Sequence, residues 1–394
     1  MQAWNAALTE RRAKEHIQAR LDAKTLAGVT AGVWLEGENR LTLCMGQRDP
    51  AAGLPMQTDT LFRLASMTKP ITGTAVMQQC QRGALELDAP IARWLPRFAE
   101  MKVAVATPEG EILATRPAAR PITPRMLLTH SSGLGSGPAG DAQFAAVGPA
   151  NHATLAQAVD SYADCALDFQ PGTAQMYSGI LGMDVLARLV ELTADMPYDE
   201  YLRKNIFEPL EMADTTYCPT PQQAARLMRL VDARDGALHP VEIADGCGFG
   251  DFPIGYTGGG AGLFSTLEDY SHLALMFADG GLYKGRRVLE AATVEAMATP
   301  QLPESFGGIS RTFNWGLSMR VCPEQAPADA PWPGQPLSAG SFGWSGAYGT
   351  HFWVDRKRRL TAVYLSNLAD GGGAGAPTAF EFEHDVMAGF GEPV

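Results

Sequence analysis

The chain has 394 residues, 46% of them hydrophobic and 19% charged, a balance that fits a folded protein with a large core and excludes a disordered one. The 31 basic and 43 acidic side chains leave a net charge of −12, which argues against nucleic acid or an anionic membrane as a partner. No run of 18 apolar residues occurs, so no membrane span is predicted.

Met1 to Arg20 carries charges throughout and lacks an apolar core segment, so no secretory signal is predicted and a cytoplasmic location is expected. The six cysteines (Cys44, Cys80, Cys165, Cys218, Cys247 and Cys322) lie far apart without a Cys-x-x-Cys pair. They are expected as free, mostly buried thiols, not disulfides or metal ligands. The seven histidines are dispersed, with no His-Glu-x-x-His, and neither a catalytic metal nor another cofactor is expected.

Residues 1–23 place Trp4, Leu8, Ile17 and Leu21 among charged neighbours and predict an amphipathic helix. Val29 to Leu35 and Arg40 to Gly46 predict two strands joined at Gly37-Glu38-Asn39. A helix is expected from about Ser66 to Arg82, stopped by Gly83. From Leu85 to about Asp245 the pattern turns helical and loop-rich. Helices are expected over Asp88–Trp94, Thr123–Leu128, Thr154–Tyr162, Gly179–Thr193 and Tyr198–Ile206, with a turn cluster at Thr129 to Gly135.

Sheet character returns after Gly258-Gly259-Gly260-Ala261-Gly262, and Thr266 is placed to cap a helix running to about Phe277. Phe313–Val321 is expected as a strand and the Pro- and Ala-rich stretch 323–338 as a surface loop. Thr350–Val354 and Leu360–Leu365 form a predicted hairpin around the basic turn Arg356-Lys357-Arg358-Arg359, and a helix closes the chain from about Thr378 to Met387. The order points to an α/β (α+β) fold. Residues 1–90 and 246–394 would form one sheet domain from both chain ends, and 91–245 a mainly helical insertion.

Chemistry is concentrated at Leu61-Phe-Arg-Leu-Ala-Ser-Met-Thr-Lys-Pro70. On a helix beginning near Ser66, Lys69 lies one turn along the same face and within reach of the hydroxyl. A serine becomes a nucleophile when a base takes its proton. Partial burial and the positive end of the helix dipole both favour the neutral amine that this role needs. The same helix end offers backbone N–H groups where an oxyanion would form. With 15 Ser and 7 Lys, chance alone gives about 0.3 such pairs, so a capping serine beside a solvated lysine is the plain alternative. Lys is scarce against 24 Arg, and the apolar approach into Pro70 suggests a buried helix start.

Tyr177, in Met176-Tyr-Ser-Gly179 after Pro171-Gly-Thr173, is a phenol that could relay a proton between nucleophile and leaving group, or a ring that merely packs. Phe342-Gly-Trp-Ser-Gly-Ala-Tyr-Gly-Thr350 is a Gly-rich strand entry in which the N–H near Ala347 could be a second oxyanion donor. No Gly-x-Ser-x-Gly occurs, which argues against an α/β-hydrolase nucleophile elbow. His130 sits in the turn cluster and is read as structural in preference to a Ser-His-Asp base.

Five ordered segments, Phe62-Arg-Leu-Ala-Ser-Met-Thr-Lys-Pro70, Leu128-Thr-His-Ser-Ser-Gly-Leu134, Tyr177-Ser-Gly179, Gly258-Gly-Gly-Ala-Gly-Leu-Phe-Ser-Thr266 and Trp344-Ser-Gly-Ala-Tyr-Gly349, resemble the landmarks of the serine β-lactamase and penicillin-binding-protein superfamily. Within it they are most similar to the β-lactamase-like carboxylesterases called family VIII. The resemblance runs from about residue 10 to 390 and implies a β-lactamase/transpeptidase-like fold, an antiparallel sheet flanked by helices. It implies Ser66 as nucleophile, Lys69 as base or relay, Tyr177 as proton shuttle, and the N–H groups of Ser66 and Ala347 as the oxyanion hole. Met67, Trp344, Gly346 and Tyr348 would line the substrate site.

Trp344 stands where related lactamases carry the Lys of Lys-Thr-Gly, and Tyr177-Ser-Gly lacks the Asn of their Tyr-x-Asn. An indole there removes a cation and adds apolar surface, which favours uncharged short-chain esters over carboxylated lactams. The expected partner is a small-molecule ester. The other readings are an acyltransferase on the same scaffold, a β-lactamase or D-amino-acid peptidase, and a non-enzymatic penicillin-binding-like sensor.

Overall fold

The computed structural model describes residues 4–241, 248–249, 252–253, 256–303, 305–306, 314–322, 337–369 and 371–391. Its centre is an eight-stranded antiparallel sheet made of β1 (Gly28–Leu35), β2 (Glu38–Asp49), β3 (Leu54–Pro55), β4 (Asn314–Trp315), β5 (Arg320–Val321), β6 (Phe342–Ser345), β7 (His351–Asp355) and β8 (Leu360–Leu365). The spatial order is β4-β5-β6-β7-β8-β1-β2-β3, so β1, from the N-terminal end, pairs with β8, from the C-terminal end, with Gly32 opposite Val363.

Period-two alternation gives this sheet two buried faces. Val29, Ala31 and Val33 of β1, with Trp353, Ala362 and Tyr364, pack under α1 (Ala6–Asp22) and α5 (Pro377–Ala388) through Ala13, Ile17, Phe382 and Val386. Phe352, Val363 and Leu365 face the other way, into a larger core shared with α2 (Thr68–Gln81), α3 (Leu181–Ala194) and α4 (Leu267–Ala278). Each such fully buried side chain contributes about 1.5–3 kcal/mol. Arg20 to Glu381 and Arg12 to Asp385 ion pairs join α1 to α5.

Helix starts follow side-chain caps: Thr123 accepts from Met126 N, Thr154 from Gln157 N and Thr266 from Asp269 N. Residues Thr68 to Gln79 of α2 are all buried, as expected of a helix enclosed on every side. It ends before Gly83, whose φ of +71° only glycine adopts without strain.

Several expectations are corrected. The first hairpin turns at Glu36-Gly37, with φ of +57° and +81° and Leu35 paired to Glu38. This tight two-residue turn matches the twist of the strands better than the predicted turn at 37–39. The stretch predicted as one strand, 313–321, is two short paired strands, Trp315 opposite Arg320, because Gly316 to Met319 turn between them; Phe313 lies outside the described residues. Asp88–Trp94 yields a 3-10 turn at Ile91–Arg93. Two hairpins went unpredicted in the middle of the chain, Lys102–Ala106 with Ile112–Pro117 and Val231–Arg234 with Ala237–Pro240.

Cys44, Cys80, Cys165 and Cys322 are free, and burial pushes the Cys80 and Cys322 thiols up to about 12. Cys218 overturns the all-thiol expectation: it is disulfide-bonded, a proximity that sequence spacing does not encode. Cys247 and 323–336 of the predicted loop lie outside the described residues. Among the described residues, no helix is long and apolar enough to cross a membrane.

Candidate active site

Strand Phe62–Arg63 pairs with Phe264–Ser265 and delivers the chain to a 3-10 turn, Ala65–Met67, that runs directly into α2. Ala65 holds a φ of +47°, a left-handed conformation that costs a non-glycine residue about 1–2 kcal/mol. Its neighbours hold it there: Leu64 N donates to Leu263 O at 2.9 Å, and Thr350 Oγ1 donates to Leu64 O at 3.1 Å. Ser66 therefore sits, partly exposed, on the turn that precedes the helix.

Lys69 lies one turn further on and is 1% exposed. Its Nζ is 3.1 Å from Ser66 Oγ and donates to Gly260 O at 2.8 Å. As an ammonium Lys69 donates to Ser66; as an amine it would accept the Ser66 proton across the same gap. The Gly260 carbonyl that fixes it belongs to a loop held by three hydrogen bonds at Gly258 and Gly259. Gly259 N donates to Asp184 Oδ1 at 2.8 Å, Thr72 Oγ1 donates to Gly259 O at 2.7 Å, and the Tyr217 hydroxyl donates to Gly258 O at 2.5 Å. Asp184, on α3, also accepts from the Tyr256 and Tyr162 hydroxyls, and burial raises its pKa above the usual carboxylate value.

Tyr177 lies four residues before the start of α3, in whose first turn Gly182 N donates to Ser178 Oγ at 3.1 Å. Its ring lies 5.0 Å from Lys69 Nζ, a cation–π contact. His130 holds the backbone on both sides of it: Met176 N donates to His130 O at 3.0 Å and Ser178 N to His130 Nδ1 at 3.2 Å. Burial, with the Lys69 charge second, pushes the His130 pKa well below 6.5, so the ring is neutral.

Trp344 of β6 and Trp315 of β4 complete an aromatic cluster. Tyr177 is 5.4 Å from Trp344 and 6.0 Å from Trp315 between ring centroids, and the two tryptophans are 4.6 Å apart. Trp315 is carried there because the turn after it docks on α2, where Ser318 Oγ donates to Lys69 O at 2.6 Å. The hydroxyl of Tyr177 makes no hydrogen bond among the described residues, so its proton is not committed to a structural partner.

Beyond Trp344 the chain turns at Gly346 to Gly349, with Gly349 N donating to Gly346 O. A Cβ on Gly346 would lie 2.2 Å from both Leu64 O and Thr350 Oγ1, so only glycine lets this turn close onto the approach to Ser66. Ala347 is partly exposed beside it. Met67 and Tyr348, read from the resemblance as substrate contacts, are 0% and 6% exposed. Met67 joins the main core, and Tyr348 packs against Ala65 and Leu230.

The structure thus gathers Ser66, Lys69, Tyr177 and Trp344 into one cluster, with the Gly346 turn on the approach to Ser66. Sequence reasoning missed four contributors: Trp315, the Gly260 carbonyl, Asp184 and the clasp of His130. Only the glycine run at 258–262 hinted at a close approach. A cavity of about 820 Å³ lies elsewhere, walled by residues such as Trp34, His272 and Tyr283, and contains none of the cluster.

The family model described as Beta-lactamase matches residues 13–383. Esterase EstB of Burkholderia gladioli is 31% identical over 390 residues, covering 92% of this chain and 93% of that protein. The acyltransferase calJ of Penicillium decumbens is 29% identical over 342 residues, covering 80% and 77%. The solved structure of EstCE1, a hydrolase with promiscuous acyltransferase activity, superposes with a TM-score of 0.81 at 22% identity, covering 97% of this chain and 99% of that one. An antiparallel sheet closed by both chain ends, a serine and a buried lysine one turn apart, and a family match across nearly the whole sequence have one reading: the chain belongs to the Beta-lactamase family and is a serine hydrolase of that superfamily.

Proposed function

We propose that the protein is a carboxylesterase that cleaves uncharged short-chain acyl esters through an acyl-enzyme on Ser66. The observation that carries the reading is the 3.1 Å contact between Ser66 Oγ and a Lys69 amine that is 1% exposed. In its amine form Lys69 takes the Ser66 proton as Oγ bonds to the ester carbonyl carbon. The resulting oxyanion faces the N–H groups of Ser66 and Ala347. Tyr177 passes a proton to the alkoxide as the C–O bond breaks and the alcohol leaves. Water then gives a proton back through Tyr177 and Lys69, attacks the acyl carbon, and releases the acid with Ser66 restored.

Trp344, with Trp315 behind it, lines the site with indole surface. A neutral acyl chain gains from apolar burial there, whereas a substrate carboxylate loses hydration without a cation in return. The likeness to esterase EstB supports hydrolysis. The likeness to acyltransferase calJ favours a second reading, in which an alcohol or amine replaces water in the deacylation step.

The test is hydrolysis of p-nitrophenyl acetate and butyrate by wild type and Ser66→Ala, with a chromogenic cephalosporin in parallel and products analysed with added alcohol. Rapid ester turnover, slow lactam cleavage and loss of both in the variant are expected. A variant that keeps more than a tenth of the ester rate refutes the nucleophile. Faster lactam than ester cleavage refutes the substrate class. Dominant transfer to the alcohol favours the second reading.

A further inference from the structure

We infer that His130 is a positioning residue for Tyr177, acting through its imidazole Nδ1 as a fixed acceptor and not as a base. The inference rests on the proposed role of Tyr177 in proton transfer. The segment that carries Tyr177 has little regular structure of its own, because α3 begins only at Leu181. What fixes it is the turn cluster opposite. Gly172 N donates to Ser131 O at 2.8 Å, Met176 N to His130 O at 3.0 Å and Ser178 N to His130 Nδ1 at 3.2 Å. His130 alone supplies two of the three acceptors, and they bracket Tyr177.

This is possible because His130 has a φ of +56°. That left-handed conformation turns its carbonyl and its side chain toward the same strip of backbone, at a cost a histidine bears only when its surroundings hold it. The ring is 1% exposed, and its centroid lies 4.6 Å from that of Tyr177 and 4.5 Å from that of Trp315. An Nδ1 that accepts from an N–H carries no proton, so the neutral ring has its hydrogen on Nε2. A general base needs a free lone pair facing the nucleophile; the lone pair of His130 is occupied by Ser178 N–H.

Asparagine is the informative replacement. Its Oδ1 is attached to Cγ as Nδ1 is in histidine, so it can accept from Ser178 N–H, and it tolerates a positive φ better than most residues. Alanine has no acceptor, and glutamine carries its acceptor one carbon too far. With p-nitrophenyl butyrate, His130→Ala is expected to lower kcat about 10- to 100-fold with KM changed less than about 3-fold, since a shift of about 1 Å in a reacting group costs on that order. His130→Asn is expected to return to within about 5-fold of wild type, and His130→Gln to resemble alanine. In a Tyr177→Phe background, His130→Ala is expected to cost less than about 2-fold further, because its effect travels through the phenol.

Thermal unfolding of each variant checks that it is folded. If the alanine variant does not fold, the asparagine and glutamine pair decides. The inference is overturned if asparagine is as impaired as alanine or glutamine, if alanine retains wild-type kcat, or if the alanine loss is undiminished without the Tyr177 hydroxyl. Ester hydrolysis that survives Ser66→Ala would instead refute the esterase reading, whatever the His130 variants do.

Discussion

Removing the Asp184 carboxylate, as Asp184→Ala, should loosen the loop that presents the Gly260 carbonyl to Lys69. Asp184 is 1% exposed and accepts from Tyr256 at 2.6 Å, Tyr162 at 3.2 Å and Gly259 N at 2.8 Å. The two phenols are 2.9 Å apart and can satisfy one donor between themselves. One phenol O–H and the Gly259 N–H are then left without acceptors in a packed core. At about 1–3 kcal/mol for each orphaned donor, the loss is about 2–6 kcal/mol, a large part of the about 5–15 kcal/mol that holds a typical protein folded.

Urea unfolding at pH 7 measures the loss directly, with an unchanged slope as the check that the transition is comparable. The pH dependence supplies a sign. Burial raises the Asp184 pKa above 3.8 in the folded state, so the unfolded chain loses this proton first and the stability the group lends falls as pH rises above that value. The deficit of the alanine variant should therefore be larger at pH 4 than at pH 7. Turnover of p-nitrophenyl butyrate by the folded variant should fall at least about 10-fold as Lys69 loses its fixed acceptor. A deficit below about 1 kcal/mol, or one that grows with pH, refutes this account of the loop.

Two further outcomes follow from single contacts. Gly346→Ala places a methyl 2.2 Å from Leu64 O and Thr350 Oγ1, so the turn must retreat from Ser66; a kcat lower by about 10²-fold is expected, the scale of a lost oxyanion donor, and steady-state ester kinetics on the folded variant would show it. Asp269 accepts from Asp214 N and Thr215 Oγ1, and burial pushes its pKa up from 3.8 to about 6. The folded state keeps that proton after the unfolded chain has lost it, so stability should fall by about 3 kcal/mol, at about 1.4 kcal/mol per pH unit, as pH rises between those two values. Unfolding at pH 4, 5, 6 and 7 should show this slope reduced in Asp269→Asn; equal slopes in both proteins would contradict it.

The parts of the fold that were legible in the sequence are those set by local physics. Threonine caps at Thr123, Thr154 and Thr266 mark real helix starts because the capping bond spans only three residues. The hairpin of β7 and β8 was legible from alternation on both sides of a polar turn. The stretch at 313–321 was not, because Gly316 is required by a carbonyl of Met297 that would lie 1.9 Å from a Cβ there, a contact supplied by a distant helix.

The same division runs through the site. Sequence alone made Ser66 and Lys69 a candidate pair, since a spacing of three along helical backbone brings two side chains to one face, but it left a capping serine beside a solvated lysine as the alternative. Tertiary structure decided everything that surrounds the pair. His130 meets Tyr177 across 47 residues, Gly260 meets Lys69 across 191, and the turn after Trp315 docks on α2 through Ser318. Those contacts depend on how separate elements pack, and a hydrogen bond between groups far apart in the chain leaves no periodic trace in the residues between them.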